Sequence, residues 1–377
     1  MSIGVVERLC FMYMYGDHFK RAVGFSEASN IRRNETTDIV HRLGVIAPNR
    51  VYLNNYPISN PIAVFNSALA VDEEDAILYA RIIVGYFMYV SAIIAIRVPL
   101  DDIFSGSGDI NINYYAGQPV VYPSTKYDLW GTEDPRVYVI DGKLYMTYTG
   151  RTVNYFNPRI GRERTLPVTA VEEEKYYKWK KIHVYVFPPG LREHVVSNKD
   201  AFLVKLSNDL LLFHRPHMDD DGFYLLTSRI GLEELYSVAE QVREVVLRDT
   251  IWVTDKASFE SKIGWATPPI KLRDNEIIAL LHGVDYELEA YRLFAMQLEY
   301  SRNEGIIVKA VTPTYIMEPK LLYEIFGDRP YTIFPCGLWR LSRDKILISY
   351  GAGDYMIGLG EIDLNELLSI LDKGRIY

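Results

Sequence analysis

A strand-like pattern recurs five times along the chain and limits its fold more than any other feature. Each copy begins with a polar residue, continues through several apolar residues and ends in polar residues or glycines; the copies are 75–82, 143–150, 209–216, 276–284 and 345–354. They recur about every 65–69 residues, a period typical of repeat architectures. A repeat of this length, rich in short strands, fits a four-stranded blade. The sequence therefore predicts an all-β, five-bladed β-propeller, with a β-sandwich or two β domains as the alternative.

Helical patterns are sparse. Apolar residues at helical spacing occur in 231–246 and 362–373, and the second segment predicts a short C-terminal helix that closes the fold. Residues 1–59 precede the first copy and are expected to form an N-terminal extension with closing strands. Since no low-complexity linker interrupts the chain, we expect one propeller domain over 1–377, with the charged run 172–181 at a solvated strand edge or loop.

Composition and charge argue against several classes of function. The net charge of -8 does not suit a nucleic-acid-binding surface, and the 29 tyrosines favour aromatic-lined grooves. The most apolar stretch, 82–96, is shorter than the roughly 20 residues that span a bilayer, and Gly85 interrupts it. It predicts two buried strands joined by a turn and no membrane association. Cys10 and Cys336 are far apart, which supports neither a disulfide framework nor a cysteine zinc site and fits a reducing cytoplasm.

Polar residues at the ends of the repeated strands are candidates for a site on the propeller axis. If these ends converge, one funnel receives Arg81, Arg151, His214, Arg215, His282 and Asp354. Asp134 and Lys199 precede the second and third copies in a similar way. Each residue has an ordinary structural explanation by itself, as a paired arginine or a hydrogen-bonded histidine. Their recurrence at equivalent positions instead suggests glycosyl or phosphoryl chemistry, with a carboxyl acid beside several cations.

A metal site has weaker support. His214 and His217 precede three aspartates in 214–221, but the aspartates suggest a surface turn and the spacing matches no zinc or calcium motif. No phosphate-binding glycine loop or nucleophile elbow is present either. The sequence predicts no metal.

Nine short motifs, in order, resemble glycoside hydrolase family 130. They are VFNSA (64–68), EDPRV (133–137), MTYTG (146–150), KDAFL (199–203), FHRP (213–216), PPI (268–270), LHGV (281–284), FPCG (334–337) and YGAGD (350–354). The resemblance covers about residues 60–360. It implies a five-bladed propeller and the activity of a β-mannoside phosphorylase or a related mannosidase.

The resemblance also implies roles for individual residues. In that family phosphate usually attacks the anomeric carbon with inversion, so phosphate is a co-substrate and no cofactor is implied. Asp134 would be the proton donor, and Pro135 would fix the backbone beside it. The implied phosphate contacts are Arg164, Lys199, His282 and Tyr291. The implied mannosyl contacts are Asn66, Ser67, Arg81, Arg136, Arg215 and Asp354.

Two kinds of departure from the family pattern affect these assignments. GWATPPI (264–270) and LVK (203–205) differ from the usual motifs on the aglycone side, which leaves the acceptor open. An insertion, 151–164, makes Arg151, Arg159 and Arg164 rivals for one phosphate contact. We favour Arg164 because RTLPVTAV (164–171) resembles the strand that carries the family's arginine.

The predicted function is that of an inverting β-mannoside phosphorylase. It would transfer a mannosyl unit from a short β-mannoside to phosphate and reversibly form α-mannose 1-phosphate. The linkage, the acceptor sugar and the presence of a homo-oligomer stay open. An inverting β-mannosidase acting on β-1,2-mannosides is the alternative, and a carbohydrate-binding propeller without chemistry is a third hypothesis.

Overall fold

Strands dominate the computed structural model, which describes residues 15–85, 89–236 and 240–377. In chain order the strands of these residues are β1 (Lys20–Arg21), β2 (His41–Ile46), β3 (Val51–Leu53), β4 (Ala63–Asp72), β5 (Asp75–Ile83), β6 (Ser91–Pro99), β7 (Tyr115–Val121), β8 (Thr132–Ile140), β9 (Lys143–Arg151), β10 (Thr165–Glu174), β11 (Lys178–Val186), β12 (Val195–Leu206), β13 (Asp209–Met218), β14 (Leu225–Ile230), β15 (Arg243–Val246), β16 (Arg248–Thr254), β17 (Glu260–Trp265), β18 (Ile270–Arg273), β19 (Glu276–Asp285), β20 (Tyr291–Ser301), β21 (Gly305–Val311), β22 (Ile333–Arg340), β23 (Lys345–Ala352) and β24 (Met356–Asp363). The α-helices are α1 (Phe25–Asn30), α2 (Leu100–Phe104), α3 (Leu232–Tyr236), α4 (Leu322–Ile325) and α5 (Leu364–Lys373).

The strands form five sheets, which we number as blades 1 to 5. From the inside outward, the strand orders are β4-β5-β6-β7-β3, β8-β9-β10-β11-β15, β12-β13-β14-β16-β1, β17-β19-β20-β21 with β18 also on β19, and β22-β23-β24-β2. The innermost strand β4 contacts both β8 and β22, and β8 also contacts β12. The innermost strands thus lie side by side around an axis, and the prediction of an all-β, five-bladed propeller is confirmed.

The repeated sequence pattern corresponds to the second strand of each blade. These strands are β5, β9, β13, β19 and β23. The sequence analysis expected the polar ends of this strand to converge at the axis, and the strand before it in the chain lies closer still to the axis. Because the two are antiparallel, the carboxyl end of the repeated strand lies beside the amino end of the innermost one. Polar residues from both strands therefore meet at one end of the axis.

The N-terminal part of the chain adds outer strands to three blades. β1 pairs in parallel with β16, β2 pairs antiparallel with β24, and β3 pairs in parallel with β7. Residues 1–14, and with them Cys10, lie outside the described part of the chain.

The two predicted helical segments have different outcomes. The C-terminal helix is confirmed as α5, where the Asp363 carboxylate accepts hydrogen bonds from the first-turn amides and the apolar face is buried. The helix predicted over 231–246 is wrong for most of its length. Among the described residues of this segment, only α3 is helical, and β15 is instead an edge strand paired with β11. Pairing of β15 with an exposed blade edge outweighs a short helical pattern. Residues 237–239 of the segment are not described.

The apolar stretch 82–96 contains the end of β5 and the start of β6, which pair antiparallel as predicted, although residues 86–88 between them are not described. Within the described residues, no helix has both the length and the apolar character needed to cross a membrane. The charged run 172–181 forms the ends of β10 and β11 and the turn between them, with Glu174 and Lys178 exposed.

Candidate active site

Three neighbouring innermost strands carry the same irregularity near their amino ends. The pairing register shifts between Phe65 and Ala68, between Glu133 and Arg136, and between Lys199 and Phe202. The residues at the start of these shifts, Asn66, Asp134 and Asp200, have φ of 47°, 49° and 55°. Asn and Asp adopt this left-handed conformation more readily than other residues with a side chain. The three β-bulges therefore present an amide and two carboxylates from equivalent positions of blades 1, 2 and 3.

Asp134 lies among donors from blade 1. Its Oδ1 accepts a hydrogen bond from Asn66 Nδ2 at 2.8 Å and one from Arg81 Nη1 at 3.0 Å. The other terminal nitrogen of Arg81 lies 3.2 Å from Oε1 of Glu133. One arginine thus bridges the two acidic residues that precede Pro135, and the Asp134 carboxylate is held in a defined orientation.

Glu133 is buried and collects three cations. Besides Arg81, it accepts a hydrogen bond from Arg151 Nε at 2.7 Å and one from Lys199 Nζ at 3.3 Å. Burial by itself would raise the pKa of Glu133, but the positive charges of Arg81, Lys199 and Arg151 hold that pKa well below its usual range. Glu133 is therefore an anion that organises cations, and it is a weak proton acceptor.

Asp200 is the centre of a second buried network. It accepts a hydrogen bond from Arg215 Nε at 2.7 Å and one from Arg136 Nη2 at 3.4 Å, while His282 Nε2 lies at 3.6 Å. Burial opposes its ionisation, yet the positive charges of Arg215 and Arg136 lower the pKa of Asp200. This carboxylate, like that of Glu133, is neutralised by its neighbours.

Arg136 lies beneath the site with its guanidinium buried. It donates to the backbone carbonyls of Asp134 at 2.7 Å, Ala266 at 3.0 Å and Trp265 at 3.3 Å, in addition to Asp200. The sequence analysis assigned Arg136 to the mannosyl unit. Its contacts in the structure instead support the backbone of the bulge that carries Asp134.

Two cations near Tyr291 have no carboxylate within salt-bridge distance among the described residues. Lys262 Nζ lies 5.4 Å from the centre of the Tyr291 ring, and the Arg329 guanidinium lies 4.5 Å from it. Burial, followed by the charges of Arg215 and Arg329, lowers the pKa of Lys262 to about 7. Neither residue was found from the sequence, because each is a single basic residue outside the family motifs.

His282 is buried against the rings of Tyr291 and Phe334, whose centres lie 5.4 Å and 4.8 Å away. Burial lowers its pKa to about 3 even though Asp200 acts in the opposite direction, so the ring is neutral. Neither ring nitrogen has a hydrogen-bond partner among the described residues. Gly264 permits this packing, because a Cβ there would lie 2.5 Å from both His282 Nε2 and Asp200 Oδ2.

Tyr291 itself is buried, and burial raises the pKa of its phenol to about 12. The phenol is therefore protonated at neutral pH. It can donate a hydrogen bond to an anion seated between Lys262 and Arg329.

Asp354 lies close enough to Asp134 to sense its charge. Burial and then the negative charge of Asp134 raise the pKa of Asp354 to about 6. Nearby, Asn66 Oδ1 and Ser67 Oγ are buried without a hydrogen-bond partner among the described residues. Asn66 Oδ1 can accept a hydrogen bond from a hydroxyl group of a bound sugar, and Ser67 Oγ can accept or donate one.

The three rival arginines of the insertion occupy different places. Arg151 joins the Glu133 network described above. Arg164 donates to the backbone carbonyls of Asn154, Tyr155, Asn157 and Ile160, all within its own loop. Arg159 is exposed. The contacts therefore favour Arg151 over the sequence-based choice of Arg164 as the arginine beside Lys199.

His214 and His217 do not form a metal site. His214 is buried and bonds Asn198 Oδ1 at 3.2 Å and Ser228 Oγ at 2.9 Å, and burial lowers its pKa to about 3. The His217 ring stacks on Phe223. In the part of the chain that the structure describes, no group of three or more His, Cys, Asp or Glu residues is arranged to hold a metal ion.

Comparison with known proteins places these features in a family. A family model described as beta-1,4-mannooligosaccharide phosphorylase, that of glycoside hydrolase family 130, matches residues 30–373. The chain belongs to glycoside hydrolase family 130. Two curated relatives come from Thermoanaerobacter sp. A beta-1,2-mannobiose phosphorylase is 29% identical over 254 residues, covering 66% of this chain and 72% of the relative. A 1,2-beta-oligomannan phosphorylase is 26% identical over 252 residues, covering 66% and 74%.

Solved structures support the family 130 fold at lower sequence identity. A Listeria innocua beta-1,2-mannobiose phosphorylase in complex with beta-1,2-mannobiose has a TM-score of 0.66 and 18% identity, covering 89% of this chain and 99% of that one. A family 130 structure described with glycoside hydrolases that target beta-1,2 mannosidic linkages in Candida mannan has a TM-score of 0.57 and 17% identity, covering 86% and 94%. The fold is therefore shared by phosphorylases and hydrolases.

Proposed function

We propose that this protein is an inverting β-mannoside phosphorylase. The observation that carries the proposal is a local excess of cations around Asp134, Asp200 and Tyr291 in a protein whose net charge is -8. The cations of this excess are Arg81, Arg151, Lys199, Arg215, Lys262 and Arg329. They outnumber the surrounding carboxylates, and among the described residues Lys262 and Arg329 have no carboxylate within salt-bridge distance. Such a pocket favours an anionic co-substrate, and inorganic phosphate is the one that the family uses.

The proposed reaction breaks one carbon–oxygen bond and forms another. Asp134 gives its proton to the glycosidic oxygen as the bond from this oxygen to the anomeric carbon breaks. A phosphate oxygen attacks the same carbon from the opposite face and supplies the new electron pair. The products are the shortened sugar and α-mannose 1-phosphate, and the reverse reaction follows the same path.

Phosphate fits this site better than water does. An inverting hydrolase needs a carboxylate base to activate water, whereas phosphate arrives already anionic. Glu133 and Asp200 are poor bases, because their cationic neighbours lower the pKa of each carboxyl group. Lys262 and Arg329 can hold a phosphate anion, but they have no role in activating water.

The proposed roles follow from these contacts. For phosphate, the residues are Arg151, Lys199, Lys262, Arg329, Tyr291 and neutral His282. For the mannosyl unit, they are Asn66, Ser67, Arg81, Arg215 and Asp354. Arg136 positions the bulge of Asp134 from beneath. Arg164 holds the loop of the insertion and lies outside the proposed phosphate pocket.

The relatives suggest which linkage to test first. Both Thermoanaerobacter relatives are named for β-1,2-linked substrates, whereas the family model is described with a β-1,4 linkage. We propose β-1,2-mannobiose or a short β-1,2-oligomannan as the substrate. Cys336 is buried and Cys10 is far from it in sequence, which suits a reducing cytoplasm, where we propose that the enzyme acts.

Hydrolysis is the second candidate function, and one observation favours it. The pKa of Asp354 is raised to about 6, which suits a general base better than Glu133 or Asp200. A propeller that only binds carbohydrate is the third candidate, and it gives no account of the orientation of Asp134 by Asn66 and Arg81.

One incubation series separates the three candidates. Purified protein is mixed with β-1,2-mannobiose, β-1,4-mannobiose or β-1,4-mannosyl-glucose, each with and without phosphate. The proposal predicts sugar release only with phosphate, and faster release from the β-1,2 substrate. Equal release without phosphate would show a hydrolase, and binding of mannosides without any release would show a binding protein.

A further inference from the structure

An aromatic cluster of Tyr89, Tyr155 and Phe156 lies exposed at the edge of the site. Tyr89 follows β5 in blade 1, and the other two belong to the insertion after β9 in blade 2. The Tyr155 and Phe156 ring centres are 5.4 Å apart, and the Tyr89 centre lies 6.4 Å and 6.3 Å from them. The three residues are 40%, 51% and 61% exposed. Two different blades thus build one open aromatic surface.

This aromatic cluster is continuous with the Glu133 network. The Arg151 guanidinium lies 4.5 Å from the centre of the Tyr155 ring, and its Nε donates to Glu133 at 2.7 Å. Glu133 in turn contacts Arg81, which contacts Asp134. A chain of four side-chain contacts therefore connects the Tyr155 ring to the proposed acid.

Arg164 fixes the loop that carries Tyr155 and Phe156. Its Nη1 donates to the carbonyls of Asn157 and Ile160, both at 2.6 Å. Its Nη2 donates to the Tyr155 carbonyl at 2.9 Å and to the Asn154 carbonyl at 3.5 Å. One planar guanidinium thus holds four points of a loop without regular structure. A loop held in this way can present exposed rings in a fixed arrangement.

Isolated exposed aromatic residues are ordinary, but a contiguous and anchored group beside a polar site suggests a ligand. Tyrosine has an apolar face and a hydroxyl, which match the C–H face and the hydroxyl edge of a sugar ring. We propose that this aromatic cluster binds mannosyl units of a longer β-mannoside, beyond the two sugars joined by the cleaved bond. The proposal rests on the function proposed above. It assigns the cluster to distal units because Arg81, Glu133 and Arg151 separate Tyr155 from Asp134.

The test compares chain lengths. Tyr155→Ala, Phe156→Ala and the double variant are measured with β-1,2-mannobiose and β-1,2-mannotetraose at saturating phosphate. We expect kcat/KM for the tetraose to fall about tenfold in the double variant and kcat/KM for the biose to change less than about twofold. Tyr114→Ala removes an aromatic ring that is 69% exposed outside the cluster and serves as the control. Equal losses on both substrates, or no loss on either, would overturn the proposal.

Arg164→Lys tests the loop contacts without removing an aromatic ring. Lysine keeps the charge but cannot reach four carbonyls, so the variant is expected to lose activity on the tetraose selectively. The KM for phosphate should stay unchanged. A raised phosphate KM with no dependence on chain length would assign Arg164 to phosphate and remove it from this role.

Direct binding distinguishes failure of this proposal from failure of the proposed function. A phosphorylase does not cleave its substrate when phosphate is left out. Calorimetric titration of β-1,2-mannotetraose into the wild-type protein under these conditions therefore measures affinity alone. Tetraose binding that the double variant weakens about tenfold supports the aromatic cluster even if the wild type never releases sugar. Phosphate-dependent release with tetraose affinity unchanged in the double variant supports the function and rejects the cluster.

Discussion

Asn66 donates a hydrogen bond to the carboxylate of Asp134 across the boundary between blades 1 and 2, at 2.8 Å. Both residues begin a β-bulge and both have positive φ, so equivalent positions of two blades meet through their side chains. The orientation of the proposed acid thus depends on a neighbouring blade. Repetition of the blade supplies both the acid and the group that holds it.

Replacement of Asn66 tests this contact. Asn66→Ala removes a hydrogen bond to a charged group, an interaction worth about 1.5–3 kcal/mol, and the expected loss in kcat is about tenfold to a hundredfold. Steady-state kinetics should show little change in the KM for phosphate. Asn275→Ala removes an amide that contacts Glu299 in blade 4 and should leave kcat unchanged. Full activity of Asn66→Ala would exclude this role.

Asp354, next to Asp134, should set the pH dependence. Burial and the charge of Asp134 raise the pKa of Asp354 to about 6, so Asp354 is protonated below that pH and ionised above it. Ionisation adds a negative charge beside the proposed acid and the departing oxygen, so kcat/KM should fall as pH rises through about 6. Asp354→Asn cannot ionise, so the fall near pH 6 should disappear from the profile of this variant. A rise through pH 6 would instead indicate Asp354 as the base of a hydrolase.

Lys262 should couple phosphate binding to pH. Its pKa is lowered to about 7 by burial and by nearby arginines, and a bound anion would favour the charged form. We expect Lys262→Ala to raise the KM for phosphate at pH 6 by about tenfold or more. Lys262→Arg, charged at every working pH, should weaken the pH dependence of that KM relative to wild type. Lys271→Ala, an exposed lysine of the same blade, is the control. An unchanged phosphate KM in Lys262→Ala would remove Lys262 from the pocket.

Replacement of Lys199 or His282 should change the dependence on phosphate more than the binding of mannoside. Loss of one donor that stabilises a developing charge lowers the rate by about 10²–10³, so Lys199→Ala and His282→Ala should both reduce phosphorolysis steeply. Lys205→Ala, at the other end of β12, and Arg159→Ala should have little effect. Rates measured against phosphate concentration test this. The phosphate pocket would lie elsewhere if Lys199→Ala and His282→Ala both kept the wild-type phosphate dependence.

The sequence predicted the features that depend on local pattern. The repeated strand predicts the five blades because apolar alternation and turn residues determine strands over short distances. The role of Asp134 as the proposed acid instead comes from the resemblance of the EDPR motif to family 130. The choice between Arg151 and Arg164 depends on the path of an insertion, which the sequence pattern does not encode. Lys262 and Arg329 are single basic residues that only the closed propeller brings to Tyr291. The helical pattern of 231–246 does not predict β15, because the blade edge that β15 joins is distant in sequence.

The central claim is that phosphate attacks a β-mannoside with inversion while Asp134 donates the proton. Phosphorus and proton NMR of β-1,2-mannobiose with phosphate, followed from the first minutes, identifies both the nucleophile and the anomeric configuration of the product. We predict α-mannose 1-phosphate as the first product of the wild type, no reaction without phosphate, and no product from Asp134→Asn under the same conditions. Free mannose formed at the same rate without phosphate, or β-mannose 1-phosphate as the first product, would contradict this account.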